Sequence, residues 1–441
     1  MKSKHLLFFL ATYIFLFFIL FPGYRFIMDP DSTGYFSVAE QLAKGDFHNS
    51  INGIWSPLGS WILTPFLQFS FDEILTAKYL NGFYGFLSLI AFFYFIVAHL
   101  PLAIFLAERK DSKNRINLDF IKKTSVALIV LFTTVVVWII ALNSKYGHYT
   151  LGQQNITGSL SPAYNQPRVP FYPPPFTNAY SVFDDITYLK LTDITPFTNG
   201  NLFFYQVKLI FFNSIKTIEH FNDFSFAFII IILIGAFLFF GKYKSFLNQT
   251  NNLLLLSFIV VWPLGFLFLH VEPRYLWIMI LAVLALAGIL LSYLMDNYFF
   301  KKKYISLFSL LIIGSFYLYP LIQLKDQYGT NKNYFEIAAA LKQNNIEGNI
   351  LCSNQGIEDF SKAVIINFLL KCRHYGPFTT DYTTQEVLHA IKKYDINYFI
   401  LYYYSPYQKE ILLSSTLALN ATIIFRDIYP GIIVLAFNKE R

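Results

Sequence analysis

The stretch HLLFFLATYIFLFFILFPGYRFIMDPDSTGYFSVAEQLAKGDF, residues 5–47, indicates the fold class. It opens with an apolar run over residues 5–27, which is long enough for a membrane crossing because a crossing needs about 20 residues. Two aspartates, Asp29 and Asp31, follow this run directly. The pattern predicts a membrane helix with a pair of acids at its outer end.

The composition of the whole chain supports a polytopic α-helical membrane protein. Its 441 residues are 55% hydrophobic and 14% charged, whereas soluble domains carry about 25% charged residues. The first run lacks a small-residue cleavage site, so we expect it to be retained as a helix. Further predicted spans lie at residues 124–143, 224–241, 253–270, 275–295 and 305–321.

Clusters of basic residues predict the topology through the positive-inside rule. These clusters lie at residues 2–4, 109–123, 242–244 and 301–303. They place the N-terminus in the cytoplasm and residues 28–55, 144–223 and the C-terminal region outside, in a plasma or inner membrane. Residues 56–107 must then cross an odd number of times, either once or as three short crossings with turns near SFDE and AHLP. The chain is therefore expected to have seven or nine spans.

The chain divides into a transmembrane domain, residues 1–327, and an extracytoplasmic α/β domain, residues 328–441. The second part alternates the predicted helices YFEIAAALKQNN and TTQEVLHAIKKY with the predicted strands NILCSN and INYFILYYY, and ends in a hairpin of ATIIFRDI and GIIVLAFN. Its cysteines, Cys352 and Cys372, either pair or remain isolated buried thiols. In the insert 144–223, the proline-rich SPAYNQPRVPFYPPPF predicts an ordered loop.

The two aspartates precede a predicted amphipathic helix. After Pro30 the apolar residues recur at intervals of three and four up to Gly45, which predicts a short helix on the outer membrane face. Asp31 or Ser32 is expected to cap this helix, which explains one acid but not two. A carboxylate at a helix N-terminus is favoured in its ionised form, as a base for a hydroxyl proton requires. Structural and catalytic interpretations of Asp29 and Asp31 both remain open.

A second polar group occurs in FLHVEPRYLW, residues 268–277. It brings His270, Glu272 and Arg274 within five residues, next to Tyr275. One interpretation is an interfacial belt that includes a Glu–Arg pair. The other is a phosphate site, because the planar guanidinium fork matches the oxygens of an anionic lipid headgroup. The net charge of +7 is otherwise accounted for by the basic loops, so no nucleic-acid-binding surface is predicted.

The order of these motifs resembles that of the polytopic glycosyltransferases of the GT-C fold, the class that includes protein mannosyltransferases and lipid A aminoarabinose transferases. The matching residues are Asp31 and Tyr35 in DSTGY, the helix FSVAEQLAKGDF, Pro57 in WSPLGSW, and Arg274 with Tyr275 in EPRY. The resemblance covers most of the chain before the C-terminal domain. This sequence departs from the family in one respect: the usual acidic pair is adjacent, whereas here it is DPD.

The resemblance implies transfer of a sugar from a polyprenyl-phosphate donor to a glycan, lipid or protein acceptor on the outer face. Asp31, or else Asp29, would activate the acceptor hydroxyl, and Arg274 assisted by His270 would hold the donor phosphate. Glu272 would orient Arg274 or bind acceptor hydroxyls, with Tyr35 and Tyr275 as further substrate-binding residues. Asp184 and Asp185 would contact sugar hydroxyls or be solvated loop acids. The resemblance leaves the cofactor open: none is certain, and a divalent cation is compatible with the acids.

Two other classes of protein remain as alternatives. A transporter would carry ionisable groups within its spans and often has internal repeats, whereas these spans are nearly free of charge and show no repeat. A non-enzymatic membrane scaffold would use the outer α/β domain to bind partners, and it would need neither Asp31 nor Arg274.

Overall fold

The computed structural model describes most of the chain, including both segments predicted to carry the site. The described residues are 2–55, 57–108, 118–147, 171–189, 197, 200–240, 250–268, 270–296, 302–353, 357–376, 383–402, 421–426 and 432–437.

Helices dominate the part of the chain before residue 328. In chain order they are α1 (Lys2–Tyr24), α2 (Pro30–Ala43), α3 (Phe47–Ser50), α4 (Pro57–Gln68), α5 (Glu73–Glu108), α6 (Leu118–Tyr146), α7 (Gly200–Phe224), α8 (Phe226–Phe240), α9 (Thr250–Leu267), α10 (Pro273–Asp296) and α11 (Lys302–Gln327). Two short 3-10 turns, Val182–Asp184 and Ile186–Leu189, precede α7. Long apolar helices satisfy their own backbone hydrogen bonds, as a chain in a bilayer must.

Within the described residues, three segments are long and apolar enough to cross a membrane. They are Leu6–Tyr24, Pro273–Tyr293 and Ser306–Gln343. A fourth span arises if α7 and α8, which meet at 112°, form one broken span. The first three correspond to predicted runs, so the membrane-protein class is supported, and the total of seven or nine spans stays a prediction.

The end of the insert 144–223 is helical, whereas the predicted loop concerned only its proline-rich middle. Its last residues belong to α7, which buries Leu202 and Phe221 and exposes Phe204 and Phe211. The prolines in the middle of the insert determine only the middle, while the apolar spacing after residue 200 favours helix. Most of the proline-rich stretch lies outside the described residues.

Residues 57–108 form the helical pair α4 and α5. A turn at residues 69–72 separates them, so the predicted turn near SFDE is confirmed. The second predicted turn is wrong, because α5 continues unbroken through AHLP. With 12 residues, α4 is about 18 Å long, which is short against a hydrocarbon core of about 30 Å. The turn near AHLP that three crossings would require is therefore absent, and the number of crossings in residues 56–107 stays a prediction.

After residue 328 the described residues alternate helices and strands around one sheet, in the part of the chain predicted to be an α/β domain. Its elements are α12 (Lys332–Gln343), β1 (Asn349–Cys352), α13 (Ile357–Leu370), β2 (Arg373–Tyr375), α14 (Thr384–Tyr394), β3 (Tyr398–Tyr402), β4 (Ala421–Arg426) and β5 (Ile432–Phe437). The strand order is β2-β1-β3-β5-β4, with β1 parallel to β2 and β3. β5 pairs antiparallel with β3 and β4, so the predicted closing hairpin is confirmed.

Helices cover both faces of this sheet. Ile337 of α12 and Ile366 of α13 belong to the core on one face, and Val387 of α14 belongs to the core on the other. Thr383 caps α14 and forms a capping box with Glu386. Cys352 and Cys372 are buried and unpaired, so of the two alternatives the isolated thiols are confirmed.

The helix α2 lies between the two domains. It ends at Ala43, and Gly45 adopts a φ of +79°, as the predicted helix stop requires. Seven of its 14 residues are buried, and Phe36 stacks on Phe368 of α13 with ring centroids 5.6 Å apart. The expectation of a helix resting on the membrane face is therefore corrected: the apolar side of α2 packs against α4 and the C-terminal domain.

Candidate functional site

Asp29 is the N-cap of α2. Its Oδ1 accepts a hydrogen bond of 2.8 Å from the backbone N–H of Ser32, and the Ser32 hydroxyl donates to the same oxygen. Pro30 occupies the first helical position, where its fixed φ is favourable. The expectation that Asp31 or Ser32 caps the helix is therefore wrong, by two or three residues. Asp31 lies in the first turn and is free of the capping role.

Arg274, in the first turn of α10, lies against the acids that precede and begin α2. Its Nη2 donates to Asp31 Oδ2 at 2.8 Å, and its Nε lies 2.5 Å from Glu272 Oε2. Its Nη1 lies 3.8 Å from Asp29 Oδ2. The two polar groups that the sequence shows separately thus form one cluster, although 243 residues separate Asp31 from Arg274. We call these residues, with His270, the acid–arginine cluster.

Glu272 joins His270 to Arg274 within this cluster. His270 Nε2 lies 3.4 Å from Glu272 Oε1. The hydrogen bond from His270, together with Arg274, holds the pKa of Glu272 below its ordinary value even though partial burial opposes this. Glu272 is therefore an anion that fixes the plane of the Arg274 guanidinium, which fits its predicted orienting role.

The environment of Asp31 favours proton uptake. Partial burial raises the pKa of Asp31 above the ordinary value of 3.8, the hydrogen bond from Arg274 opposes that rise, and the charges of Asp29 and Glu272 add to it. About a quarter of the side chain, 26%, is exposed. Oδ2 accepts from Arg274, while Oδ1 accepts no hydrogen bond from the described residues. Asp31 is thus an accessible carboxylate with one oxygen open to a further hydrogen-bond donor.

The acid–arginine cluster has more negative than positive charge. Asp29, Asp31 and Glu272 face one guanidinium, which leaves a surplus of two negative charges when His270 is neutral. Across the described part of the chain, no group of three or more His, Cys, Asp or Glu side chains is arranged to hold a metal ion. A divalent cation at this site therefore stays a prediction.

The two tyrosines of the matching motifs have packing roles in this structure. The Tyr35 ring packs against Trp55 with centroids 5.4 Å apart. The Tyr275 ring stacks on Phe266 at 5.0 Å and is 5.4 Å from the Arg274 guanidinium carbon. Tyr275 therefore supports Arg274 from α10, while Tyr35 belongs to a separate apolar cluster beneath α2.

Asp184 and Asp185 are buried, so the expectation of two solvated loop acids is wrong. Asp184 accepts hydrogen bonds from the Ser37 hydroxyl at 2.6 Å and the Tyr180 N–H at 2.9 Å, and Asp185 pairs with Lys145 at 2.7 Å. Their exposures are 1% and 0%, which leaves neither carboxylate accessible to a sugar hydroxyl. Both acids instead fasten the 3-10 turns to α2 and α6.

Sequence reasoning missed two lysines, one beside Asp29 and one at the far end of α2. Lys78 of α5 donates to the carbonyl of Ile27 and attracts the Asp29 carboxylate. Lys371, directly after α13, lies 2.6 Å from Glu40 on α2. Lys78 could have been noticed in the sequence, because it is a single lysine within the otherwise apolar segment that follows Glu73. Lys371 gave no such signal, because its partner is 331 residues away.

Comparisons with protein-family models, with curated proteins and with solved structures give no match to this chain. The functional argument therefore rests on the acid–arginine cluster and on its place at the ends of apolar helices.

Proposed function

We propose that the protein is a membrane glycosyltransferase that moves a sugar from a polyprenyl-phosphate lipid to an acceptor hydroxyl on the extracytoplasmic face. The observation that carries the proposal is the contact of Arg274 with Asp31 at 2.8 Å. It joins a candidate phosphate ligand to a candidate base. Both lie where apolar helices end, as a substrate with a membrane-bound tail and a water-exposed sugar requires.

Arg274 is suited to bind the donor phosphate. Its fork now faces carboxylates, and about 39% of the side chain is exposed. A donor phosphate would compete with Asp31 for Nη2, while Glu272 keeps hold of Nε. Arg274 would then remain oriented as it exchanges one anion for another. That exchange leaves both oxygens of Asp31 available to the acceptor.

Asp31 is suited to the proton transfer. The acceptor oxygen bonds to the anomeric carbon as its proton passes to Asp31, and the carbon–oxygen bond to the phosphate breaks with its electron pair on the phosphate. The raised pKa of Asp31 makes it a stronger base than an ordinary aspartate. Phosphate is a good leaving group, so Arg274 needs only to stabilise the charge that develops on it.

A transfer assay tests the proposal. Purified protein in lipid nanodiscs is incubated with labelled polyprenyl-phosphate sugars, and product formation is compared with that of Arg274→Ala. We expect transfer by the wild type and its loss in the variant. Asp72→Asn is the matched control, because Asp72 caps α5 through Leu75 and Asn caps equally well. If Arg274→Ala transfers sugar at the control rate, the acid–arginine cluster is only an interfacial belt.

The proposal requires the cluster and the C-terminal domain to face outside. Cysteine labelling checks this with one cysteine in the basic loop 109–123 and one at position 340 of α12. A membrane-impermeant reagent added from outside is expected to reach position 340 and not the basic loop. The opposite labelling would place the site in the cytoplasm and remove the support for an extracytoplasmic acceptor.

A further inference from the structure

Lys371 connects three elements of the protein through one ammonium group. It follows the last residue of α13, and its Nζ lies 2.6 Å from Glu40 Oε1 on α2 and 2.6 Å from Glu73 Oε1 at the start of α5. The C-terminal domain is thereby joined to both α2 and α5 at one point.

The surroundings of Lys371 make this contact more than a surface ion pair. Its Nζ lies 3.9 Å from the centroid of the Phe368 ring and 5.1 Å from that of Tyr180. The Tyr180 hydroxyl donates to the second oxygen of Glu40 at 2.6 Å. Glu40 is only 12% exposed, so water competes weakly for it. Two aromatic rings and a tyrosine hydroxyl thus fix the pair in place.

The backbone conformation of Lys371 gives independent evidence that its side chain has a role in the contact with α2 and α5. Its φ is +56°, in the left-handed region where the residue after a helix is usually glycine. A lysine here is disfavoured by the backbone. The side chain reaches across to α2 and α5.

The helix α2 carries this connection to the candidate site. Asp29 and Asp31 lie at its N-terminal end and Glu40 lies two to three turns later, about 14 Å along the axis. Phe36 on the same helix stacks on Phe368, the residue three before Lys371. A helix of this length moves as a rigid body. The position of Glu40 therefore helps to determine the position of Asp31 relative to Arg274.

We propose that Lys371 is a positioning residue of the candidate site: through Glu40 and Glu73 the C-terminal domain holds α2 so that Asp31 faces Arg274. The outer domain is then part of the catalytic unit rather than an independent binding module. This inference rests on the proposed function for its catalytic consequence, but its structural consequence stands alone.

The test uses Lys371→Gly, which removes the side chain and relieves the backbone, so the C-terminal domain is expected to remain folded. Amide hydrogen exchange in residues 31–36 is expected to become faster in the variant, because α2 loses its connection. The kcat of transfer is expected to fall by about 10- to 100-fold with the donor KM little changed, because the base is misplaced while Arg274 is intact. Lys371→Arg is expected to restore both.

Lys44→Ala is the matched control, because Lys44 also pairs with Glu40, at 3.3 Å, but lies at the end of α2 itself and forms no ion pair with another element in the described part of the chain. The proposal is overturned if Lys371→Gly matches Lys44→Ala in exchange of residues 31–36. It is equally overturned if exchange rises but kcat in an active wild type does not fall. Should the wild type transfer no sugar, the proposed function fails, and the exchange comparison alone decides the role of Lys371 in holding α2.

Discussion

Asp31→Asn separates the catalytic from the structural interpretation of the opening acids. The cap of α2 belongs to Asp29, so the substitution leaves helix initiation intact. It removes the charge that pairs with Arg274 at 2.8 Å. That pair is partly exposed, with 26% and 39% of the two side chains accessible, so its loss is expected to cost about 1 kcal/mol or less. Arg274 keeps its contact with Glu272.

The expected effect on the reaction is much larger. Loss of the base is expected to lower the transfer rate about 10²–10⁴-fold, which corresponds to a barrier higher by about 3–5 kcal/mol. The donor KM is expected to stay the same or fall, because Arg274 no longer has to give up Asp31 when it binds phosphate. The pKa of Asp31 is raised, so the wild-type rate is expected to fall with acid at a pH above the ordinary aspartate value of 3.8.

The assay is single-turnover transfer in nanodiscs across a pH series, with thermal unfolding measured on the same samples. Asp29→Asn is the matched control: asparagine caps a helix about as well as aspartate, and Asp29 lies 3.8 Å from Arg274 rather than in contact. Its rate is expected to fall much less. If Asp31→Asn were active and Asp29→Asn inactive, the base would be Asp29. If both variants were active, the catalytic role proposed for this loop would be refuted.

Three further substitutions test other parts of the site. Arg274→Lys is expected to impair transfer while the protein remains folded, because a point charge cannot reproduce the fork between Asp31 and Glu272; normal kinetics would argue against the phosphate role. Burial raises the pKa of Asp184 to about 6, so its stabilising contribution is present at low pH and lost as pH rises through about 6. Asp184→Asn should remove that pH dependence, cost about 1–3 kcal/mol in unfolding experiments and leave the donor KM unchanged. In Gly34→Ala the new Cβ would lie 2.1 Å from Trp55 Nε1, and a thermal melt should show a loss of about 1–3 kcal/mol.

The elements predicted correctly from the sequence are those with a local signal. The strands β1, β3 and β5 are runs of apolar and β-branched residues, and α14 has both an amphipathic face and a Thr cap. Helix α13 was missed because nearly all of its described residues are buried, including the polar Asp359, Lys362 and Asn367, so the polar positions in its sequence do not mark an exposed face. The burial of Asp184 and Asp185 depends on Ser37 and Lys145, which are distant in the chain, and no local pattern signals it.

The acid–arginine cluster was predictable only in part. The positive-inside rule placed Asp31 and Arg274 on the same side of the membrane, but not in contact, because hydropathy does not specify which helices are neighbours. The contact depends on the position and orientation of α2 relative to α10. Lys371 and Glu40 help to fix that position from the far end of α2. The geometry of the site therefore depends on the C-terminal domain, whose sequence carries none of the site's motifs.

The order DPD assigns different roles to the two acids. Pro30 fixes the start of α2, which makes Asp29 the cap and commits its Oδ1 to the Ser32 backbone and hydroxyl. If Asp29 took up the proton on its Oδ2, the two capping hydrogen bonds to Oδ1 would weaken in each turnover, because a protonated carboxyl is a poorer acceptor than a carboxylate. Asp31 would give up one contact, to Arg274, and a donor phosphate would replace that partner. The departure from an adjacent acidic pair therefore favours Asp31 as the base, because it separates the acid that holds the helix from the acid that remains available to substrate.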